Sequence, residues 1–164
     1  MSNKPIVLII DDEEIVRATL DALLSGDYQL HFAENGIDGL ALAMQTEPDV
    51  ILLDVMMPKL DGYEVCRQIR ATDLLAEIPI IMITSLDDRD SRLRGLRAGV
   101  DDFLSKPFDS MELLARIQTI TRLNRYRNIV EQRSQLEEMH KELLISYHKT
   151  IEGWVNALDL RDKE

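Results

Sequence analysis

Val50-Ile51-Leu52-Leu53-Asp54-Val55-Met56-Met57-Pro58 is a short apolar run that carries one carboxylate and is stopped by Pro58 and Gly62. A run of this length reads as a strand buried on both faces. A carboxylate at the end of such a strand is unfavourable unless a cation meets it. Three other runs end in groups that suit this one. Ile6 to Ile10 leads into Asp11 and Asp12, Ile78 to Ile83 leads into Thr84, and a short run at Phe103 and Leu104 leads into Lys106. Four strand ends therefore deliver three carboxylates, a hydroxyl and an ammonium. In an open α/β sheet the carboxyl ends of parallel strands lie side by side, and ligands bind there.

Working outward, strand and helix patterns alternate. The expected elements are β1 (Ile6 to Ile10), α1 (Glu13 to about Ser25, closed by Gly26), β2 (Tyr28 to Phe32), and α2 from Asn35-Gly36 to before Pro48. Then follow β3 (Val50 to Asp54), α3 (Tyr63 to Arg70), β4 (Ile78 to Thr84), α4 (Asp88 to about Ala98, capped by Gly99) and β5 (Asp102 to Ser105). Asp109 or Ser110 caps a last helix, α5. β2 alternates polar and apolar side chains, as a strand near the sheet edge does. Five strands interleaved with five helices predict a doubly wound parallel sheet with helices on both faces.

The last helix does not stop where a small domain needs it to. From Ser110 to about Leu160 there is no proline, and the only glycine is Gly153. Beyond Leu123 the stripe Tyr126, Ile129, Leu136, Leu143, Tyr147 and Trp154 recurs with steps of three, four and seven, with Arg133 and His140 falling on it. This spacing predicts a coiled-coil seam, favoured as a parallel two-stranded one; a lone solvated helix stabilised by i,i+4 ion pairs is the alternative. The chain divides accordingly into a domain at 1–123 and a helical linker at 124–164.

Composition narrows the function classes. The 45% hydrophobic and 30% charged content suits a soluble globular protein. No apolar run approaches the roughly 18 residues of a membrane span, and the N-terminus lacks a signal-peptide core. A single cysteine, Cys66, makes no internal disulfide; it reads as a small core residue in a protein of the reducing cytoplasm. Residues 1–110 hold 21 acids against 10 bases and carry the whole net charge of −11, whereas residues 111–164 hold nine of each. An acidic first segment argues against nucleic-acid binding there and fits a site that gathers a metal cation.

Asp11, Asp12 and Asp54 form an oxygen-only donor set, which selects Mg²⁺ or Mn²⁺ over zinc. With so few carboxylates such an ion keeps waters and shares phosphate oxygens. Asp54 can then act as a nucleophile towards phosphorus, with Lys106 and the Thr84 hydroxyl stabilising the equatorial oxygens.

Residues 4 to about 123 resemble the receiver domain of two-component response regulators. The matching motifs are Leu8-Ile-Ile-Asp-Asp-Glu13, Leu52-Leu-Asp-Val-Met-Met-Pro58 with Asp61-Gly62, Ile83-Thr-Ser85, and Gly99-Val-Asp-Asp-Phe-Leu-Ser-Lys-Pro-Phe108. The resemblance implies a flavodoxin-like (βα)5 fold with strand order 2-1-3-4-5. It also implies that Asp54 is the phosphoacceptor, that Asp12 and Asp54 bind Mg²⁺ with Asp11 acting through water, and that the Met56 backbone carbonyl is a further ligand. Lys106-Pro107 is expected to be cis. Thr84 and Phe103 carry over as the switch pair, acting on the face made by α4, β5 and α5. Arg89, Arg92, Arg97, Asp101, Asp102, Glu112 and Arg116 on that face suggest a homodimer contact, formed on phosphorylation or reoriented within a preformed coiled coil. The partner upstream would be a sensor histidine kinase or phosphotransfer protein; neither nucleic acid nor membrane is expected. Met56 and Leu86, two residues beyond Asp54 and Thr84, are apolar, so slow self-hydrolysis is expected.

Thr150-Ile-Glu-Gly-Trp-Val-Asn-Ala-Leu-Asp-Leu-Arg-Asp-Lys-Glu164 resembles the opening helix of an HD-GYP domain, a family that hydrolyses cyclic di-GMP. The sequence ends before any His-Asp pair, and His31, His140 and His148 form no such constellation. The expectation is a receiver whose output enzyme is absent from these residues; a free-standing receiver that docks on a partner protein is the alternative. A haloacid dehalogenase-type phosphatase would need a second Asp where Met56 stands. A flavodoxin-like electron carrier would need a phosphate loop where Asp11-Asp12-Glu13 would repel one. A transcription factor would need a basic module that the neutral tail does not supply.

Overall fold

In a computed structural model, which describes residues 4–86 and 88–161, strands and helices alternate as β1 (Ile6–Ile10), α1 (Glu14–Leu24), β2 (Gln29–Ala33), α2 (Gly36–Thr46), β3 (Val50–Asp54), α3 (Gly62–Ala71), β4 (Ile80–Thr84), α4 (Arg89–Ala98), β5 (Asp102–Ser105) and α5 (Ser110–Arg161). All five strands are parallel, in the order β2-β1-β3-β4-β5. The flavodoxin-like expectation holds, including β2 at an edge and a long C-terminal helix.

The chain forms two compact units, Met1–Asn124 and Arg125–Glu164. In the first, the two-residue period of the strands sends alternate side chains to opposite layers. Leu8, Ile10, Ile51, Leu53, Ile80 and Met82 pack with Val65, Cys66, Ile69 and Ala98 of α3 and α4. Val7, Ile9, Val50, Leu52, Ile81 and Ile83 pack on the other side with Leu20 and Leu24 of α1 and Leu113 and Ile117 of α5. Continuous apolar runs are what a sheet covered on both faces requires. Cys66 is buried in this core, with its Sγ 3.2 Å from the Ala98 carbonyl oxygen, and burial pushes its thiol up to about 11.

Small differences from the expected boundaries have local causes. β2 begins at Gln29 because the Tyr28 amide still bonds back to the Leu24 carbonyl, 3.0 Å away. β4 begins at Ile80 because Ile78 is held in a turn: its amide bonds to the Leu75 carbonyl, and its own carbonyl accepts from Arg70. Gly99 closes α4 in the left-handed conformation, φ 97°. Gly26 has no such role, and α1 ends with Ser25 still in right-handed geometry. Asp109 caps α5, accepting from the amides of Met111 and Glu112. Lys106-Pro107 is cis.

Arg70 fastens the end of the sheet opposite the acidic residues. Its guanidinium donates to the carbonyls of Gly99, Ala76 and Ile78 and to the Asp101 carboxylate, which also accepts from the Ile80 amide.

The second unit is the remainder of α5. Tyr126, Ile129, Leu136, Leu143, Tyr147 and Trp154 are all exposed there. Beside this seam runs a third apolar column, Val130, Leu144, Ile151 and Leu158, interrupted by Glu137. The apolar face is therefore wider than the two columns of a strict two-stranded seam. The last three residues of the stretch at 150–164 lie outside the described residues.

Candidate functional site

Register assembles the site. Ile10 pairs with Leu53, Asp54 with Ile83, and Thr84 with Ser105. Residues one step beyond these pairs stand at the carboxyl end of neighbouring strands: Asp11 and Asp12 after β1, Asp54 at the end of β3, Thr84 at the end of β4, and Lys106 after β5. One carboxylate oxygen from each of Asp11, Asp12 and Asp54 lies within 4.8 Å of the others. Asp11 and Asp54 are buried and Asp12 is exposed, so the cluster opens to solvent on one side.

Local structure fixes each member. The Asp11 carboxylate accepts from the Glu13 amide at 2.8 Å, and its backbone carbonyl accepts from the Arg17 guanidinium at 2.8 Å. Arg17 also reaches Glu34, which ties the β1–α1 loop to the one after β2. Beyond β3, the Gly62 amide bonds to the Val55 carbonyl. A Cβ at Gly62 would run into the backbone of Asp54 and Val55, so the close approach requires glycine. The Met56 side chain is exposed, and its backbone N–H bonds to the Asp54 carboxylate.

Lys106 sits among carboxylates. Its Nζ lies 2.9 Å from Asp11 Oδ2, 3.1 Å from Glu13 Oε1 and 3.5 Å from Asp54 Oδ1. Burial works against the ammonium. The hydrogen bond to Asp11, the charges of Asp54 and Asp11 and the bond to Glu13 outweigh it and hold Lys106 above its usual value. Asp54 is pushed from 3.8 up to about 6, first by burial and then by the charge of Asp11; Lys106 and the Met56 amide offset this only in part. A buried acidic cluster left with excess negative charge, oxygen-only and open on one side, fits a hard divalent cation that keeps some of its waters.

The arrangement brings Asp11, Asp12, Asp54 and Lys106 together. Thr84 is buried at the adjacent strand end, its hydroxyl accepting from the Leu86 amide at 3.1 Å and its carbonyl from the Lys106 amide at 2.9 Å. Phe103 stands apart from the carboxylates, its ring against Gly95 of α4 with the Arg92 guanidinium 5.9 Å from the ring centroid. Met56 and Leu86 share a hollow of about 320 Å³ beside the site, with Val55, Met57, Asp61, Tyr63 and Arg94. On the face of α4, β5 and α5, Arg116 is already paired with Asp102 (2.6 Å) and Glu112 (2.7 Å), and Arg70 with Asp101. Glu13 and Arg17 were not foreseen as members of the site. Glu13 had a signal, as the third acid of an Asp-Asp-Glu run, but its contact with Lys106 spans 93 positions.

Residues 7–118 match the response regulator receiver domain family. RpaA of Synechocystis, a "DNA-binding dual master transcriptional regulator", is 41% identical over 119 residues, which is 72% of this chain and 49% of RpaA. The chain thus spans about half the length of RpaA and of the mycobacterial response regulator MprA, and about a quarter of the response regulator PleD of Caulobacter vibrioides. Among solved structures, the receiver domain of a Pseudomonas aeruginosa sensor histidine kinase superposes with TM-score 0.68 and 31% identity, covering 72% of this chain and 98% of that one; it holds a magnesium ion in its active-site cleft. The signal receiver domain of an HD domain-containing protein from Pseudomonas fluorescens superposes with TM-score 0.70 and 26% identity, over 75% and 98% of the two chains.

Proposed function

Because the chain belongs to the response regulator receiver domain family, we propose that it is a phosphorylation-controlled switch in which Asp54 is the phosphoacceptor. The observation that carries this reading is the meeting of Asp11, Asp12, Asp54 and Lys106 at the strand ends, with the buried Asp54 carboxylate facing the ammonium. An Asp54 oxygen attacks phosphorus in line, and the bond from phosphorus to the donor imidazole of a sensor histidine kinase or phosphotransfer protein breaks with its electron pair. Lys106 follows the charge onto the phosphoryl oxygens, and the Thr84 hydroxyl turns to donate to one of them. Asp12, Asp54 and the Met56 carbonyl would hold Mg²⁺, or Mn²⁺ in its place, with Asp11 acting through water, and the ion would supply further charge neutralisation. The Phe103 ring, packed against Gly95 of α4, turns into the space the Thr84 hydroxyl leaves, which alters the face of α4, β5 and α5.

That face is our candidate homodimer contact, alone or with the second unit. Asp102 and Glu112 are held by Arg116 within one chain, so dimerisation there exchanges these pairs for intermolecular ones. Residues 1–123 form the receiver and 124–164 the linker to an output domain in a cytoplasmic protein. For the output we favour an HD-GYP cyclic di-GMP phosphodiesterase. Support comes from the stretch at 150–164, from the three-column apolar face of α5, which suits packing among several helices, and from the likeness to the receiver of an HD domain-containing protein. A DNA-binding output, as RpaA's name describes for that protein, is the competing reading; the balanced charge after residue 110 counts against nucleic-acid contacts by these residues. A receiver that acts only by docking on a partner remains the simpler alternative. No helix of the described residues is long and apolar enough to cross a membrane.

Intact mass after incubation with Mg²⁺ and a small phosphodonor tests the core of this reading. The wild type gains one phosphoryl group and Asp54→Ala gains none; equal gain in both removes Asp54 from its role. The 164 residues alone leave cyclic di-GMP intact. With Met56 and Leu86 unable to orient water, the phosphoryl group outlives that of a Met56→Asn variant.

A further inference from the structure

Glu13 occupies the N-cap of α1, where Ser, Thr, Asp or Asn would satisfy an orphan amide, yet its side chain makes no cap bond. The carboxylate is turned instead to Lys106, 3.1 Å away, closer than the 3.5 Å between Lys106 and Asp54. Glu13 also differs from the other acids of the site in exposure: its side chain is 60% exposed, whereas those of Asp11 and Asp54 are 3% exposed. It lies outside the three-carboxylate cluster that fits a cation. A divalent ion bound there would, together with Lys106, offset the three charges of that cluster, and Arg17 is committed to the Asp11 carbonyl and to Glu34. The charge of Glu13 is then the surplus at the mouth of the pocket.

We infer that Glu13 determines phosphodonor specificity, its carboxylate at the pocket mouth disfavouring small dianionic donors relative to less negative ones. The inference rests on the phosphoacceptor reading of Asp54. Glu13 acts in two separable ways. It shares the ammonium that must follow the phosphoryl group, which slows transfer from every donor alike. It also repels the approaching donor in proportion to that donor's charge. With acetyl phosphate, an Asp54 oxygen bonds to phosphorus as the bond to the acetyl oxygen breaks, and acetate leaves with the electron pair. With phosphoramidate the bond from nitrogen to phosphorus breaks, and ammonia leaves with the pair and the protons its nitrogen already carries. Acetyl phosphate arrives as a dianion, whereas phosphoramidate, its nitrogen protonated, is a net monoanion. A kinase phosphohistidine arrives embedded in a protein surface, so a rim charge of this kind insulates Asp54 from small acyl phosphates.

The test compares Asp54 labelling of the whole chain with Mg²⁺ and each donor, read by intact mass at low salt. Glu13→Gln is expected to raise kcat/KM by about five- to tenfold with acetyl phosphate and by about two- to threefold with phosphoramidate. Glu13→Lys widens the gap, and high salt narrows it. Bound beryllofluoride, followed by its fluorine resonance, is held more tightly by Glu13→Gln than by the wild type. Equal acceleration with both donors, no acceleration, or unchanged beryllofluoride affinity overturns the inference. A merely structural role would not move the ratio between donors. A wild type that gains no mass, or an Asp54→Ala variant that still does, brings down the phosphoacceptor reading itself and this inference with it.

Discussion

Tyr63 and Tyr126 are the same residue type on helices of one chain; the first is 1% exposed and the second 68%. The contrast holds for the two units as a whole. In Met1–Asn124 the apolar residues of four strands are closed between helices, and the unit carries its own core. In Arg125–Glu164 the apolar side chains of the described residues all lie on the surface of one helix. Burial on both faces gives the first unit the rigidity that lets three strand ends hold oppositely charged groups within 2.9–3.5 Å of one another. The second unit has an apolar face and nothing of its own to bury it against, which is the character of an element whose stability is completed by a partner.

The largest test of this contrast is a matched pair of truncations. Leu52→Ala empties a filled site in the sheet core and is expected to lower stability by about 2–5 kcal/mol. Leu136→Ala, on the seam of the second unit, is expected to stay within about 0.5 kcal/mol for a single chain. Urea unfolding at low protein concentration measures both. Similar losses would mean that the second unit is packed even in one chain, and the division drawn here would fail.

The rigidity of the first unit also stabilises what would otherwise be unfavourable. Asp54 is raised from 3.8 to about 6, so its neutral form suits the metal-free fold better than its charged form. The contribution of this group to stability is fully present below 3.8 and is lost as pH rises through about 6. Without metal at neutral pH, Asp54→Asn is therefore expected to be more stable than the wild type by about 2–3 kcal/mol. The difference shrinks towards pH 4 and also shrinks when Mg²⁺ is added. Thermal unfolding across that range checks the sign; a variant less stable than wild type throughout would show that the carboxylate is not strained in the metal-free fold.

Ion pairs sharpen the comparison at smaller scale. Arg70 serves three carbonyls and one carboxylate, so Arg70→Ala leaves several partly buried acceptors unsatisfied and should destabilise by about 1–3 kcal/mol. Among the described residues Arg133 meets only Glu137, at 3.3 Å and largely exposed, and its removal should alter helix stability by at most about 0.5 kcal/mol. Chemical denaturation of the two variants gives the ratio directly.

Legibility follows the same division. β1 and β3 were readable to the residue because unbroken apolar runs end in polar or turn residues, and β5 because Phe103 and Leu104 are bracketed by Asp102 and Ser105; the register then places Asp11, Asp54 and Lys106 at the carboxyl end of the sheet. The start of β4 was less legible, since Ile78 is as apolar as Ile80 and its hydrogen bonds to Leu75 and Arg70 keep it out of the strand. Gly26 and Gly99 look alike in sequence, yet only Gly99 takes the left-handed cap. The pairing of Glu13 with Lys106 lay beyond any local pattern because the two are 93 positions apart. In the second unit the long helix was legible but the width of its apolar face was not, because a two-column heptad pattern leaves out Val130, Leu144, Ile151 and Leu158, each four residues after a position of the stripe.

That width leads to the smallest effect and the most direct view of the second unit. Trp154 is the only tryptophan of the chain and its side chain is largely exposed, so fluorescence reports on this unit alone. A single chain in dilute solution should emit at the red end of the tryptophan range and be quenched freely by iodide. If the seam pairs two chains, raising the protein concentration shifts the emission to the blue and protects the ring, while the third column stays wet. A Leu144→Glu substitution separates the possibilities. Leu144 lies beside the seam, so a two-stranded pair tolerates a charge there and the blue shift survives. An assembly of more helices needs that column dry, and the shift is lost. Survival of the shift would confine the partner of this helix to one second copy and remove the main physical support for its entry into a helical output domain.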